Sequence, residues 1–134
     1  MKEIDELNLP EDVFFTSDHE WVRVKDKIVT IGLDDYAQDQ LGDIVFVELP
    51  GVGDSFNTGD EVGTVESVKT ASELFMPING QIVAVNNTLE DSPELINSSP
   101  YIKGWIIKIK ADDISEVDLM FDKYSYTNIL KEQY

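Results

Sequence analysis

The chain has 134 residues, of which 42% are hydrophobic, so it is long enough to bury the core of one globular domain. Its net charge of −17 argues against a nucleic-acid or anionic-membrane partner, because phosphate binding depends on clustered lysine and arginine. With no cysteine and one histidine, His19, the chain supplies no thiol nucleophile, redox dithiol or Cys/His zinc site. Any redox chemistry would therefore reside on an attached group.

The N-terminal segment shows no targeting pattern. MKEIDELNLPEDV is acidic and has no apolar run, whereas a secretory signal has an apolar centre and a mitochondrial transit peptide is rich in arginine. No stretch reaches the length of a membrane span. We expect a cytoplasmic bacterial protein, or a mitochondrial matrix protein if the chain is a processed eukaryotic one. Asn97-Ser98-Ser99 matches a glycosylation triplet, but turn and capping chemistry is the better account without a secretory signal.

Short β-strands dominate the predicted elements. Residues 21–24 and 28–31 are rich in β-branched and aromatic residues, and the polar Lys25-Asp26-Lys27 between them predicts a hairpin. Closely spaced short strands of this kind indicate a mainly β fold, either a sandwich or a small barrel. The same pattern, punctuated by Gly, Pro, Asn and Asp, predicts further strands over residues 44–49, 61–68, 71–76, 81–85 and 105–110.

Three helical segments are predicted. The first covers residues 35–41, with Asp34 or Asp35 as its cap and Gly42 ending it, since glycine accepts a positive φ. A second begins at Ser92-Pro93, where a capping hydroxyl precedes a proline at the first helical position. Residues 115–132 predict one or two amphipathic helices that lie against the β-structure. Their apolar positions are Val117, Leu119, Met120, Tyr124, Ile129 and Leu130.

Several polar clusters have a plainer structural interpretation than a chemical one. His19 and Glu20 are adjacent at a strand entrance, so they point to opposite faces and form no simple acid–base pair. The acidic pairs lack the spacing and central glycine of a calcium loop, so we predict no metal site. Gly51-Val52-Gly53 lacks the third glycine of a dinucleotide-binding loop. We assign four aromatic residues to the core: Trp21, Phe46, Phe75 and Trp105.

Lys69 is the single basic residue of the stretch VESVKTASELFMPINGQIVAVN, residues 65–86. If residues 61–68 and 71–76 pair, residues 67–70 form the turn and Lys69 projects from its tip. Small neighbours such as Ser67 and Ala71 would let a modifying enzyme seat the amine and its turn in a cleft. On this geometry alone, a lysine that aids solubility and protects a strand edge is the better account.

The sequence around Lys69 resembles the attachment site of the glycine cleavage system H proteins, in which the lysine of an ESVK motif carries a lipoyl group. The likeness extends to TSDHEW (16–21), IGLDDYAQDQLGDIVFVELPGVGD (31–54) and LINSSPY (95–101) followed by Gly104-Trp105. The resemblance implies a single lipoyl-binding domain over residues 1–134, with its core at about 13–130. The implied fold is a flattened lipoyl/biotinyl-type barrel-sandwich hybrid of short antiparallel strands, with a few short helices including a C-terminal one.

Proteins of this family are non-catalytic carriers. The resemblance implies lipoate bound covalently to Lys69, which would take an aminomethyl group from a PLP-dependent glycine decarboxylase. The same arm would serve a tetrahydrofolate-dependent aminomethyltransferase and pass electrons to dihydrolipoyl dehydrogenase. A lipoate-attaching enzyme is a further implied partner, whereas no nucleic-acid or membrane partner is expected. The lack of cysteine fits this role, because a protein thiol would exchange with the disulfide of the oxidised lipoyl group.

The resemblance also assigns residues near the lysine. Glu66, Ser67 and Val68 belong to the recognised turn around the attachment point. The family's cleft for the arm involves the acid of the HEW element and an acid four residues past the lysine, which correspond here to Glu20 and Glu73. Carboxylates in such a cleft would stabilise a cationic amine and exclude water.

Other interpretations stay open. A biotinyl carrier also modifies a turn lysine, but that lysine normally sits between two methionines, whereas Val68 and Thr70 flank Lys69. A lipoyl domain of another lipoate-dependent complex, such as a 2-oxoacid dehydrogenase, is usually joined to a larger chain by a flexible linker. A lipoyl relay, which donates lipoate to other carriers, is not distinguished from glycine cleavage duty by the sequence.

Overall fold

The computed structural model describes residues 1–133, which contain nine strands, four α-helices and two 3-10 helices. The strands are Phe14–Phe15 (β1), Glu20–Lys25 (β2), Ile28–Leu33 (β3), Ile44–Glu48 (β4), Ser55–Phe56 (β5), Glu61–Ser67 (β6), Ala71–Phe75 (β7), Gly80–Val85 (β8) and Ile107–Ala111 (β9). The α-helices are Asp35–Leu41 (α1), Thr88–Asp91 (α2), Leu95–Ser98 (α3) and Lys123–Gln133 (α4). The 3-10 helices are Ile4–Glu6 and Ile114–Leu119.

The strands form two separate antiparallel sheets with an apolar layer between them. The larger sheet has the order β1-β2-β3-β9-β8-β5, and the smaller has the order β4-β6-β7. This arrangement confirms the predicted mainly β, flattened sandwich with short helices, including one at the C-terminal end.

Alternation along the strands of the larger sheet decides what is buried. One rung of paired residues on β2, β3 and β9 points into the core and is fully buried: Val22, Ile31 and Ile107. The next rung is Arg23, Thr30 and Lys108, and its side chains lie on the outer face. The period of two residues per repeat thus separates an apolar inner face from a polar outer face.

Most predicted boundaries agree with the structure to within two residues. The hairpin over residues 21–31 is confirmed as β2 and β3. Helix α1 has the predicted bounds, Asp34 accepts a hydrogen bond from the Ala37 N–H, and Gly42 ends the helix with a φ of 80°.

The second predicted helix begins later than the sequence indicates. Helix α3 starts at Leu95, and the unpredicted single turn α2 precedes it. Ser92 ends α2, since its N–H donates to the Thr88 carbonyl, and the structure gives its side chain no capping role. The turn that leads into α3 does begin at Ser92-Pro93, where the Leu95 and Ile96 N–H groups donate to the Ser92 and Pro93 carbonyls, but the predicted cap by the Ser92 hydroxyl is wrong.

Phe46 is not a core residue, contrary to the prediction. A bulge between Ile44 and Phe46 shifts the register of β4 against β6, so that Val45 and Phe46 are both exposed while Ile44 and Val47 are buried. A bulge inserts one extra residue and breaks the alternation that sequence patterns rely on. Trp21 is fully buried as predicted, and Phe75 and Trp105 are half-buried.

The C-terminal segment forms two helices, as predicted, but two of its apolar residues are exposed. Leu119 is 84% exposed because Ile114–Leu119 is a 3-10 helix, whose three-residue period directs Val117 inward instead. Tyr124 is also exposed, since the buried face of α4 carries Tyr126 and Leu130, four residues apart.

A buried polar cluster attaches α4 to the rest of the fold. The Tyr126 ring stacks on Phe15 with centroids 4.5 Å apart, and its hydroxyl donates to Asp34 Oδ2. His19 Nδ1 lies 2.6 Å from the same hydroxyl oxygen. Burial raises the pKa of Asp34 to about 7, although its hydrogen bonds from Tyr126 and Ala37 oppose the shift.

The raised pKa of Asp34 predicts a pH-dependent stability. The folded chain retains a proton on Asp34 that the unfolded chain loses near pH 3.8, so the free energy of unfolding should fall as pH rises from about 4 to about 7. Asp34→Asn keeps a capping side chain without the charge and should flatten this decline in urea denaturation. Asp113→Asn, at an exposed cap, is the control and should leave the decline unchanged. An unaltered decline in Asp34→Asn would refute the assignment.

Candidate functional site

Lys69 lies in the turn that joins β6 to β7, as the sequence predicts. The Ser67 N–H donates to the Thr70 carbonyl over 2.8 Å and closes the turn. The Ser67 hydroxyl oxygen accepts hydrogen bonds from the backbone N–H groups of Lys69 (3.1 Å) and Thr70 (3.2 Å). Ser67 is buried, so its role in this structure is to hold the turn.

The loop after α1 supports the turn from one side. The Val68 N–H donates to the Asp43 carbonyl over 3.0 Å. The Lys69 side chain lies over Gly42, where an added Cβ would be 3.3 Å from Lys69 Cε. Glycine at position 42 thus provides both the positive φ that ends α1 and the space that the lysine occupies.

Asn97 clamps this loop, and the sequence did not reveal that role. Its side-chain oxygen accepts from the Ile44 N–H (2.9 Å), and its amide nitrogen donates to the Gly42 carbonyl (2.9 Å) and to Gln38 (3.0 Å). The turn and capping account of Asn97 is therefore wrong. The sequence shows only a polar residue within LINSSPY. It does not indicate the partner of Asn97, because Ile44 is 53 residues away.

The amine of Lys69 is available for modification. The side chain is exposed, and within residues 1–133 it forms no ion pair. An exposed primary amine on a turn held by backbone and side-chain hydrogen bonds can be acylated without disturbing the core. The residues present therefore fit a covalently attached acyl group.

Exposed apolar side chains lie on the elements that flank the lysine. Val45 and Phe46 are exposed on β4, Phe46 is paired with Glu66 on β6, and Val68 is exposed beside Lys69. Of the three residues assigned to recognition, Glu66 and Val68 are thus accessible, whereas Ser67 shapes the turn from within. Neighbouring apolar groups with an acidic residue among them can contact an enzyme that approaches the lysine.

Glu20 is buried beneath β7. Only 1% of the residue is exposed, and Oε2 accepts a hydrogen bond from the Phe75 N–H over 3.1 Å. Oε1 has no hydrogen-bond partner within the described residues. Burial raises the pKa of Glu20 well above its ordinary value, and the nearby charges of Asp18 and Asp34 act in the same direction.

Glu73 is exposed on β7, where it pairs with Thr64 of β6. Glu20, on β2, thus contacts β7 from the buried side at Phe75, whereas Glu73, two residues earlier on β7, is exposed. His19 is hydrogen-bonded to Tyr126, which agrees with the expectation that it does not act together with Glu20.

Two further features bear on binding. In the described part of the chain, no group of three or more His, Asp or Glu residues is placed to hold a metal ion. No helix in residues 1–133 is long and apolar enough to cross a membrane.

Comparisons with known proteins agree with this geometry. The profile of the family described as Glycine cleavage H-protein matches residues 13–133. The glycine cleavage system H protein of Listeria monocytogenes is 51% identical over 124 residues, which covers 92% of this chain and 99% of that protein. The protein of the same name from Alteromonas mediterranea is 51% identical over 127 residues, covering 94% and 98%.

Comparison with a solved structure points to the same family. The crystal structure of a glycine cleavage system H protein from Mycobacterium marinum superimposes with a TM-score of 0.84 at 36% identity, covering 92% of this chain and 99% of that one. The match of sequence and fold over nearly the whole length shows that the chain belongs to the glycine cleavage H-protein family.

Proposed function

We propose that the chain is a lipoyl carrier of the glycine cleavage system, with lipoate attached through an amide to Lys69. The observation that supports this most strongly is the exposed amine on a rigid hairpin turn, in a chain that belongs to this family. The whole chain would act as one lipoyl-binding domain. Because the relatives compared are bacterial, we place it in the bacterial cytoplasm.

The protein's own part in the reaction is to hold and present the arm. A bound lipoyl group would supply a disulfide that is reduced as one of its sulfurs takes the aminomethyl group and, once that group has left, a dithiol that gives up two electrons. Ser67 and Asn97 keep the turn in one conformation, so the attachment point is fixed while the arm moves. A tether of this kind keeps its cargo at high effective concentration near each active site.

The bond-making steps belong to partner enzymes. We infer that these are a PLP-dependent glycine decarboxylase, a tetrahydrofolate-dependent aminomethyltransferase and dihydrolipoyl dehydrogenase, and that the carrier catalyses none of the steps itself. A lipoate-attaching enzyme would contact the exposed Glu66, Val68 and Phe46 around the lysine. A buried apolar contact beside the modified group would add affinity in proportion to the area covered.

Glu20 and Glu73 are our candidates for the cleft that receives the end of the arm. The free Oε1 of Glu20 supports its assignment, because a buried carboxyl oxygen without a partner favours a ligand that can donate to it. A cationic amine arriving there would lower the pKa of Glu20 and ionise it. Glu73 would approach the same amine from the exposed side of β7.

Two alternatives remain, a lipoyl relay and a lipoyl domain that serves another lipoate-dependent complex. Both would use the same lysine and the same turn. Membership of the glycine cleavage H-protein family favours the cleavage system over either alternative.

Expression with lipoate available should add one lipoyl group to the chain. Intact-mass measurement should show this increment in the native chain and in Lys103→Arg, an exposed lysine elsewhere, but not in Lys69→Arg. The increment depends on the turn amine because the other lysines lie outside the hairpin. An increment that persists in Lys69→Arg would disprove the attachment site.

The lipoylated chain should support glycine–bicarbonate exchange when mixed with glycine decarboxylase. Exchange is the expected readout because it requires the arm to reach the decarboxylase active site. Lys69→Arg is the negative control. Lipoate transfer to another carrier with no exchange activity would identify a relay instead.

Removing either cleft carboxylate should expose the charged arm to water. Formaldehyde release should be measured from the lipoylated protein loaded with the aminomethyl group of glycine. It should rise about tenfold in Glu20→Gln or Glu73→Gln, the effect of losing one charge-assisted hydrogen bond. Glu48→Gln, at an exposed position on β4, is the matched control. Equal release from all three variants would remove Glu20 and Glu73 from the cleft.

A further inference from the structure

The outer face of the larger sheet forms a cationic groove, here called the β3 groove. Arg23 and Lys25 on β2 form one wall, Lys108 on β9 forms the other, and Ile28 and Thr30 on β3 form the floor. The carboxylate of Asp26 also lines the groove. Its volume is about 540 Å³. Three basic side chains thus lie together on this face of a strongly acidic chain.

The strand register fixes the dimensions of the groove. Neighbouring strands lie about 4.8 Å apart, so the walls on β2 and β9 are separated by about 10 Å. Cations two residues apart on one strand are about 7 Å apart. The rung of Arg23, Thr30 and Lys108 crosses the groove, and the next rung on this face places Lys25 beside Ile28.

The charges of the walls are only partly neutralised. Arg23 forms an ion pair with the exposed Asp12 over 3.0 Å and also donates to the Tyr101 carbonyl. Lys25 and Lys108, by contrast, form no ion pair within the described residues. In a chain with 27 acidic and 10 basic residues, the groove is lined by three basic side chains and one acidic one, so its charge is opposite in sign to that of the molecule as a whole.

One end of the groove is apolar. Trp105 lies there with Lys108 Nζ 5.1 Å from its ring centroid, beside Val83 and Ile102. Ile102 is 69% exposed. This end can therefore receive an apolar side chain next to the cations.

We propose that an extended acidic segment of a partner protein docks in the β3 groove. A chain lying edge-on over β3 sends successive side chains to opposite walls, and its alternate residues repeat at about 7 Å, the spacing of Arg23 and Lys25 on the β2 wall. Carboxylates of the segment would pair with Lys25 and Lys108, and an apolar residue at its end would contact Trp105.

Other occupants fit less well. A small anion would leave the apolar end at Trp105 and Ile102 uncovered, whereas the groove is as wide as a single extended chain. The net charge of −17 repels both a long nucleic acid and a second copy of this chain. A partner that presents a short acidic segment meets the local field of the groove and is least affected by the distant acidic surface, because salt screens charges beyond about 10 Å.

The docking surface is separate from the attachment site. Lys69 belongs to the smaller sheet, whereas the β3 groove is on the outer face of the larger one. A partner held in the groove would leave the turn of Lys69 free. The proposal therefore does not depend on lipoylation.

Binding of an oligoglutamate peptide that ends in leucine tests the proposal. With the full chain at about 0.1 M salt, where charges beyond about 10 Å are screened, labelled peptide should show saturable binding by fluorescence anisotropy, and more salt should weaken it. Lys25→Glu/Lys108→Glu should weaken binding about tenfold or more, whereas Lys123→Glu/Lys131→Glu, the same charge change on α4, should leave it within about twofold. Thermal unfolding of both double variants checks that they fold.

Further controls separate the alternatives. The same peptide with glutamine in place of glutamate should not bind. The Lys69→Arg variant should bind the acidic peptide like the native chain, so loss of peptide binding is distinguishable from loss of the lipoyl role. The proposal is overturned by equal binding to the two double variants or by no binding to the native chain. Tighter binding of single-stranded oligothymidylate, or self-association in sedimentation that the groove variant abolishes, would also overturn it.

Discussion

The apolar layer between the two sheets fixes which side of every strand faces water. Ile31 and Ile107 of the larger sheet and Val65 and Leu74 of the smaller one are buried there, and each removes apolar surface from solvent. Because side chains alternate along a strand, burial of these residues sends their neighbours outward. The cations of the larger sheet are therefore brought together by the same constraint that builds the core.

A break in this alternation makes the surface near Lys69 apolar. The bulge in β4 exposes two consecutive apolar residues, Val45 and Phe46, on the strand beside the hairpin. The loop that precedes β4 is held by Asn97, and the same loop supports Val68. The attachment turn is therefore stiff because elements far apart in the sequence hold it.

The charges of the chain are distributed unevenly. Two carboxyl groups, those of Glu20 and Asp34, are buried with raised pKa values, and Asp34 links α1 to α4 through Tyr126. The larger sheet carries cations outward at Lys25 and Lys108, on a chain that is strongly acidic as a whole. Burial and alternation, more than composition, decide where each charge acts.

The sequence by itself determined seven of the nine strands, α1 with its cap, and the place of Lys69 at a hairpin turn, because these follow from local periodicity, capping and turn chemistry. The two-residue strands β1 and β5 are too short to leave a periodic pattern. Only the tertiary structure decided the exposure of Phe46, the clamp by Asn97 and the burial of Glu20. It also decided that Lys25 and Lys108 share a groove. Each of these depends on contacts between distant segments, which a bulge or a strand register sets and local patterns do not encode.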